Sequence, residues 1–96
     1  SDLVLSLKRY GYNYKNSYVR KIPSYKYPNG TIVLIERSTN YPVGHYLVLE
    51  RDKWMDPWIN LPTDNDIAHA RSGFRKQLPG HPMYALVPKY ELQVNL

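Results

Sequence analysis

Three short segments in the middle of the chain have the composition of neighbouring β-strands. Residues Thr31 to Arg37 (TIVLIER) form an almost continuous run of β-branched and aliphatic side chains, which is typical of a buried strand. His45 to Arg51 has the pattern of a second strand, and Lys53 to Asp56 that of a third strand, which Pro57 ends. Because the connections between them are short, the three strands are predicted to be neighbours in one sheet.

Two helices are predicted, one on either side of this strand-rich centre. Apolar side chains at helical spacing predict an N-terminal helix over Asp2 to Tyr10, and Gly11 is placed to end it. A second helix is predicted to begin at the capping residues Thr63 to Asp66 and to be closed by Arg75 and Lys76. The apolar face of this second helix consists of Ile67, Ala70, Phe74 and Leu78.

The remaining segments complete a single predicted domain, residues 1–96. Met83 to Val87 and the alternating segment Tyr90 to Leu96 are expected to be the two last strands. Residues 11–30 are rich in Tyr, Asn, Ser, Pro and Lys without a period, and we expect them to be an irregular connection over the surface. The predicted fold class is therefore α+β, an antiparallel β-sheet with an N-terminal helix and one further helix.

The composition excludes several classes of protein. No run of even ten apolar residues occurs, so a membrane span is excluded, and the polar start is unlike a secretory signal. The chain has no cysteine, so it has no disulfide, no thiolate metal site and no thiol nucleophile of its own. The three histidines, His45, His69 and His81, lack metal-ligand spacing. We therefore expect a soluble protein without a metal or other cofactor.

A histidine and an aspartate are predicted to meet on the central hairpin. If the turn is centred between Arg51 and Asp52, His45 and Asp56 are diagonal neighbours on one face, with backbones about 7–8 Å apart. A shift of one residue would place them on opposite faces. An acid beside a histidine suits nucleophilic catalysis, because the carboxylate fixes the imidazole tautomer and stabilises the imidazolium. The alternative is a structural pair in which Asp56 is the acceptor of an Asp-Pro turn.

The sequence around this pair resembles a family of peptidases. Gly44 to Leu49 (GHYLVL), a charged turn and Trp54 to Trp58 (WMDPW) are similar to the histidine and aspartate motifs of the papain-like cysteine peptidases that process double-glycine bacteriocin leaders. Leu3 to Tyr12 resembles the family's helix ending in an aromatic-Gly pair, and Thr31 to Ile35 resembles its strand before the histidine. The resemblance implies a papain-like half that carries the general base and its orienting acid.

By this resemblance His45 is the general base and Asp56 orients it. The family's nucleophilic cysteine, with a glutamine shortly before it for the oxyanion, lies well upstream of these motifs, and this chain has neither at its start. The chain is then a fragment or processed half completed by the cysteine of a second polypeptide, a degenerate domain that has lost catalysis, or a convergent hairpin. The resemblance implies that the chain is inactive by itself.

A basic, tyrosine-rich segment suggests a second function. The residues up to Tyr27 carry the whole net charge of +5, and tyrosines alternate with lysines and arginines from Lys8 onward. Rings that stack on bases beside cations that pair with phosphates are typical of single-stranded nucleic-acid binding. The plainer interpretation is a solvated surface whose tyrosine hydroxyls stay in water. The candidate nucleic-acid-binding residues are Lys8, Arg9, Tyr12, Tyr14, Lys15, Tyr18, Arg20 and Lys21.

Two further alternatives fit a small basic domain. A ribonuclease toxin would divide acid and base work between His45 and a second group, with His81, Arg75 and Lys53 as the candidates. An interaction module would use its excess positive charge to attract an acidic protein partner or nucleic acid. The alternative function is thus a small basic domain that binds nucleic acid or cleaves RNA.

Overall fold

An antiparallel sheet dominates the part of the chain that the computed structural model describes, residues 2–20, 26–61 and 63–89. In chain order the elements are α1 (Asp2–Arg9), β1 (Tyr14–Tyr18), β2 (Ile32–Ile35), β3 (His45–Glu50), β4 (Lys53–Asp56), a 3-10 helix (Ile67–His69), β5 (Gly73–Arg75) and β6 (Pro82–Pro88). Among these residues six strands form one sheet in the order β1-β6-β2-β3-β4-β5, and each neighbouring pair is antiparallel. The predicted α+β class with an N-terminal helix is therefore confirmed.

The central hairpin of β3 and β4 forms in the predicted register. Val48 pairs with Met55, which centres the turn between Arg51 and Asp52. Both turn residues have positive φ, 49° and 65°, as in a type I′ turn, whose twist matches that of two antiparallel strands. This register places residues 45 and 56 on the same face of the hairpin.

One face of the sheet carries the hydrophobic core. The buried cluster consists of Val19, Val33, Ile35, Tyr41, Leu47, Leu49, Trp54 and Ala85. Burying each large aliphatic side chain contributes about 1.5–3 kcal/mol, so this face holds the sheet in place. His45 and Asp56 follow the same alternation as Leu47, and both side chains are buried beside the core.

The prediction of a second helix that begins at Thr63 is wrong. The segment forms a single 3-10 turn and then β5, which pairs with β4. The side chains of Asp64 and Asp66 accept hydrogen bonds from the N–H groups of Asp66 and Ala68, which favours local turns over a continued helix. Residues Gly73–Arg75 also form backbone hydrogen bonds with the edge of β4 that would otherwise be unpaired. Tertiary pairing therefore outweighs the helical spacing of the apolar residues.

The connection predicted over residues 11–30 is not irregular throughout, because it contains β1. This strand pairs with β6, from Tyr14 opposite Pro88 to Tyr18 opposite Tyr84. Because β1 is an edge strand, the side chains of Lys15 and Asn16 are both exposed, so the segment shows no clean alternation of apolar and polar residues.

The remaining predicted elements are found near their expected bounds. α1 ends just before Gly11, whose φ of 84° is the left-handed conformation typical of a helix stop. The strand predicted over Met83 to Val87 is confirmed as β6, whereas the one predicted over Tyr90 to Leu96 lies outside the described residues. No helix in the described ranges has the length and apolar character to span a bilayer.

Candidate active site

His45 and Asp56 are joined by a short hydrogen bond. Nε2 of His45 lies 2.6 Å from Oδ1 of Asp56, and the two side chains are 8% and 0% exposed. His45 is the first residue of β3 and Asp56 the last of β4, so the hairpin register brings them together. Gly44, the residue before β3, has a φ of +80°, and a Cβ at this position would lie 3.2 Å from the carbonyl oxygen of Ile35.

The carboxylate of Asp56 receives two further hydrogen bonds. The backbone N–H of Trp58 donates to Oδ1 at 2.9 Å, and Nε of Arg75 donates to Oδ2 at 2.7 Å. Burial by itself raises the pKa of Asp56, but the bonds from Arg75, Trp58 and His45 outweigh it and hold that pKa below its usual range. Asp56 is therefore an ionised acceptor at neutral pH.

An ionised Asp56 determines how the neutral imidazole is protonated. A carboxylate only accepts, so Nε2 of His45 carries the hydrogen and Nδ1 carries the lone pair. The ring of Tyr41 stacks on the imidazole with centroids 4.8 Å apart and planes 14° apart. Tyr41 is itself held by the Ser38 hydroxyl, which accepts its N–H, and by the N–H of Gly44, which donates to its carbonyl. The imidazole is thus oriented by its acid and by a stacked ring.

A cleft of about 390 Å³ opens beside His45. Its lining is mostly apolar and consists of Val43, Gly44, His45, Tyr46, Pro57, Trp58, Ile67 and Ala70. Trp58 is fixed as one wall because its indole N–H donates to the Asp64 carbonyl at 3.0 Å. No hydrogen bond joins Nδ1 of His45 to any residue of the described ranges, so this nitrogen is available to a group bound in the cleft. The arrangement suits a general base.

The described residues that line the cleft include a histidine but no thiol or aliphatic hydroxyl group. The chain contains no cysteine, and the residues lining the cleft include no serine or threonine. Within the described ranges no cluster of histidine and acidic side chains has the arrangement of a metal site. Among the described residues, no neighbour of His45 in the cleft is a nucleophile of the cysteine, serine or threonine type.

The candidate nucleic-acid-binding residues lie along α1, β1 and the residues beside them, and Tyr12 and Tyr14 line one small pocket together. Tyr14 donates its hydroxyl to the Gly30 carbonyl, Tyr18 packs edge-on against Tyr84, and Arg20 pairs with Glu36 at 3.1 Å. Lys8, Arg9, Tyr12 and Lys15 are exposed on or near α1 and β1, whereas Lys21 lies outside the described residues.

The proposed second groups for RNA cleavage are also occupied or turned away. Arg75 is paired with Asp56, and Nε2 of His81 lies 3.2 Å from the Arg20 carbonyl oxygen. Lys53, three residues before Asp56 on β4, lies on the other face of that strand.

Arg75 and Tyr41 complete the site, and sequence reasoning missed both roles. Arg75 is placed by the pairing of β5 with β4, and the sequence assigns it to the last turn of a helix instead. Tyr41 lies in a loop with no periodicity to mark it. An aromatic residue four positions before His45 is the one available signal, and it is a weak one.

Comparison of the chain with models of known protein families, with characterised proteins and with solved structures finds no match. The geometry around His45 and the motifs in the sequence are therefore what indicates a function. Both concern the same hairpin, β3 and β4.

Proposed function

We propose that this chain provides the histidine–aspartate half of a papain-like cysteine peptidase-type hydrolase, with the thiol nucleophile supplied from outside these 96 residues. The observation that carries the proposal is the 2.6 Å contact between Nε2 of His45 and Oδ1 of Asp56, with the other ring nitrogen available to an apolar cleft. The motifs GHYLVL and WMDPW, which resemble those of the bacteriocin leader peptidases, are the two strands that form this pair.

The chemistry assigned to the pair is proton transfer. Nδ1 of His45 takes the proton of a cysteine S–H in the cleft, and the thiolate attacks the carbonyl carbon of the substrate. Asp56 stabilises the imidazolium that forms. The imidazolium then returns the proton to the leaving group, and a thioester remains on the cysteine. Water cleaves this thioester with His45 again acting as base.

The chain alone is expected to be inactive towards peptides and thioesters, because the thiol is absent. A fragment or a processed half regains activity when a cysteine-bearing segment is added. A degenerate domain does not. The first experiment therefore asks whether the histidine–aspartate pair is a competent base.

A diffusible thiol can stand in for the missing cysteine. The chain is mixed with an activated aryl ester and a small thiol such as 2-mercaptoethanol, and release of the phenolate is followed. We expect a thiol-dependent rate about tenfold above background, below the 10²–10⁴-fold typical of a general base because the thiol is not held in place.

The controls use histidines in different environments. His45→Ala removes the base and is expected to abolish the thiol-dependent rate, whereas His69→Ala, an exposed histidine outside the cleft, is expected to leave it unchanged. A thiol-dependent rate that survives His45→Ala, or hydrolysis by the chain without thiol, would contradict the proposal. A rate no higher than background favours the degenerate or convergent interpretation.

Binding of single-stranded nucleic acid is the second candidate, and a specific surface favours it. Tyr18, Tyr84 and Tyr46 lie in one row across the sheet face opposite the core, because Tyr18 pairs with Tyr84 and both Tyr84 and Tyr46 pair with Leu34. This tyrosine row is between 37% and 46% exposed. Exposed rings on a sheet provide stacking surfaces for unpaired bases, and the net charge of +5 attracts phosphates.

The tyrosine row is tested with labelled oligouridine and fluorescence anisotropy. Tyr84→Ala and Tyr46→Ala are expected to weaken binding by about 1–3 kcal/mol per lost stacked base, and Tyr10→Ala, an exposed tyrosine off the sheet, is expected to have no effect. Absence of binding, or binding that does not weaken between about 50 and 200 mM salt, argues against this function. Incubation with total RNA tests cleavage, which His45→Ala should abolish if the ribonuclease interpretation is correct.

A further inference from the structure

We infer that Arg75 is a positioning residue for the base, since it keeps Asp56 in the form that leaves Nδ1 of His45 unprotonated. This inference rests on the proposed function, in which Nδ1 accepts the proton of the nucleophile. Neither the sequence motifs nor the hairpin register includes Arg75, because it belongs to a third strand.

Three adjacent strands each contribute one side chain to the arrangement. Asp56 pairs directly with Gly73 on β5, so Arg75 is its diagonal neighbour on that side, as His45 is on the β3 side. The carboxylate therefore lies between an imidazole and a guanidinium. Gly73 leaves room for the side chain of Ile59, since a Cβ there would lie 2.8 Å from Cδ1 of Ile59.

The guanidinium holds two parts of the site at once. Nε of Arg75 donates to Oδ2 of Asp56 at 2.7 Å, and Nη2 donates to the Ile59 carbonyl at 3.1 Å. Ile59 belongs to the turn that follows β4 and carries Trp58, a wall of the cleft. The planar fork of an arginine can make both bonds together, whereas a lysine has a single charged nitrogen. Only 26% of the Arg75 side chain is exposed, so these bonds are partly shielded from water.

Removal of the guanidinium would reverse the role of the imidazole. A fully buried carboxylate that loses its cationic partner tends to take up a proton, because burial disfavours its charge. A protonated Asp56 could donate its hydroxyl hydrogen to Nε2 of His45, and the ring hydrogen would then lie on Nδ1. Nδ1 would then be a donor instead of a base. Arg75 prevents this exchange by stabilising the ionised carboxylate.

The test measures the tautomer of His45 directly in the chain as it exists. Nitrogen chemical shifts of ¹⁵N-labelled histidine distinguish the Nε2–H form from the Nδ1–H form without any substrate or nucleophile. Arg75→Gln keeps hydrogen-bond donors but removes the charge, Arg75→Lys keeps the charge, and Arg71→Gln is the matched control on an exposed arginine of the same segment.

We expect Arg75→Gln to lower the ratio of Nε2–H to Nδ1–H by about tenfold, the effect of losing one charge-assisted hydrogen bond. Arg75→Lys should keep the ratio close to that of the unaltered chain, and Arg71→Gln should not alter the ratio. The thiol-dependent rate should fall in proportion to the fraction of His45 that remains in the Nε2–H form, which a purely structural role for Arg75 would not produce.

An unchanged tautomer in a folded Arg75→Gln variant overturns the inference. If Arg75→Gln does not fold, the result for Arg75→Lys tests the inference instead. A mixture of His45 tautomers in Arg75→Lys overturns the inference, and a retained Nε2–H form supports it. Failure of the proposed function is distinguishable: the thiol-dependent rate is then absent in the unaltered chain while the tautomer still depends on Arg75.

Discussion

Replacing Asp56 with asparagine should remove a large share of the stability of the fold. Asp56 is fully buried and accepts hydrogen bonds from Arg75, from the Trp58 N–H and from His45. An asparagine keeps one acceptor oxygen, so its amide N–H₂ would face either the guanidinium or the imidazole N–H, donor against donor. The guanidinium of Arg75 is then left without its counter-charge.

The magnitude follows from these contacts. Breaking a buried ion pair by removing one partner costs about 3–5 kcal/mol. Arg75 is 26% exposed and regains some hydration, which reduces the expected loss to about 2–4 kcal/mol. A chain of this length has a total free energy of unfolding of about 5–14 kcal/mol, so the variant loses between a seventh and most of it. The melting temperature should fall by about 10–25 °C.

Urea unfolding followed by circular dichroism and tryptophan fluorescence measures this loss. The matched control is Asp52→Asn, an exposed turn residue at φ 65°, where asparagine also tolerates the left-handed conformation. It should change the free energy of unfolding by no more than about 0.5 kcal/mol. A loss below about 1 kcal/mol for Asp56→Asn would contradict this prediction, because the three hydrogen bonds would then contribute almost nothing net.

The other predictions concern pH and close packing. Because the pKa of Asp56 is lowered on folding, the contribution of its charge to stability is present above the unfolded value of 3.8 and is lost as the pH falls through the folded pKa. The difference in stability between the unaltered chain and Asp56→Asn, followed by urea midpoints, should therefore shrink only below pH 3.8. A constant difference down to about pH 2 would show that the charge is not responsible. Gly73→Ala should destabilise by about 1–3 kcal/mol in urea, because the new Cβ meets Cδ1 of Ile59 at 2.8 Å; a neutral effect would mean that the side chain moves away freely. Tyr41→Leu removes the ring stacked on His45 and should lower the thiol-dependent ester rate several-fold, while an unchanged rate would show that Asp56 orients the imidazole alone.

Local sequence signals predicted the half of the site that lies on one hairpin. The two turn residues, Arg51 and Asp52, and the alternation on either side determine the register of β3 and β4. Register decides which side chains share a face, so the contact between His45 and Asp56 could be deduced before the structure. The N-terminal helix was equally accessible, because its apolar spacing and its glycine stop are local features.

The errors lie where a local pattern competes with a distant partner. Ile67, Ala70 and Phe74 have helical spacing, yet Phe74 is on β5 and is more than half exposed. β1 has little apolar alternation and exists because β6, about seventy residues later in the chain, offers it an edge. Helical spacing and strand propensity are weak preferences, and hydrogen bonds to a neighbouring strand outweigh them.

A hairpin and the histidine–aspartate pair on it therefore follow from local sequence signals, since eleven positions separate the two residues and a two-residue turn joins their strands. Long-range packing places Arg75 on the other side of the carboxylate and Tyr41 against the imidazole. Arg75 reaches Asp56 only because the chain returns to pair β5 with β4, nineteen positions later. Contacts of that kind depend on which edge a distant segment occupies, and that choice is made by the packing of the whole sheet.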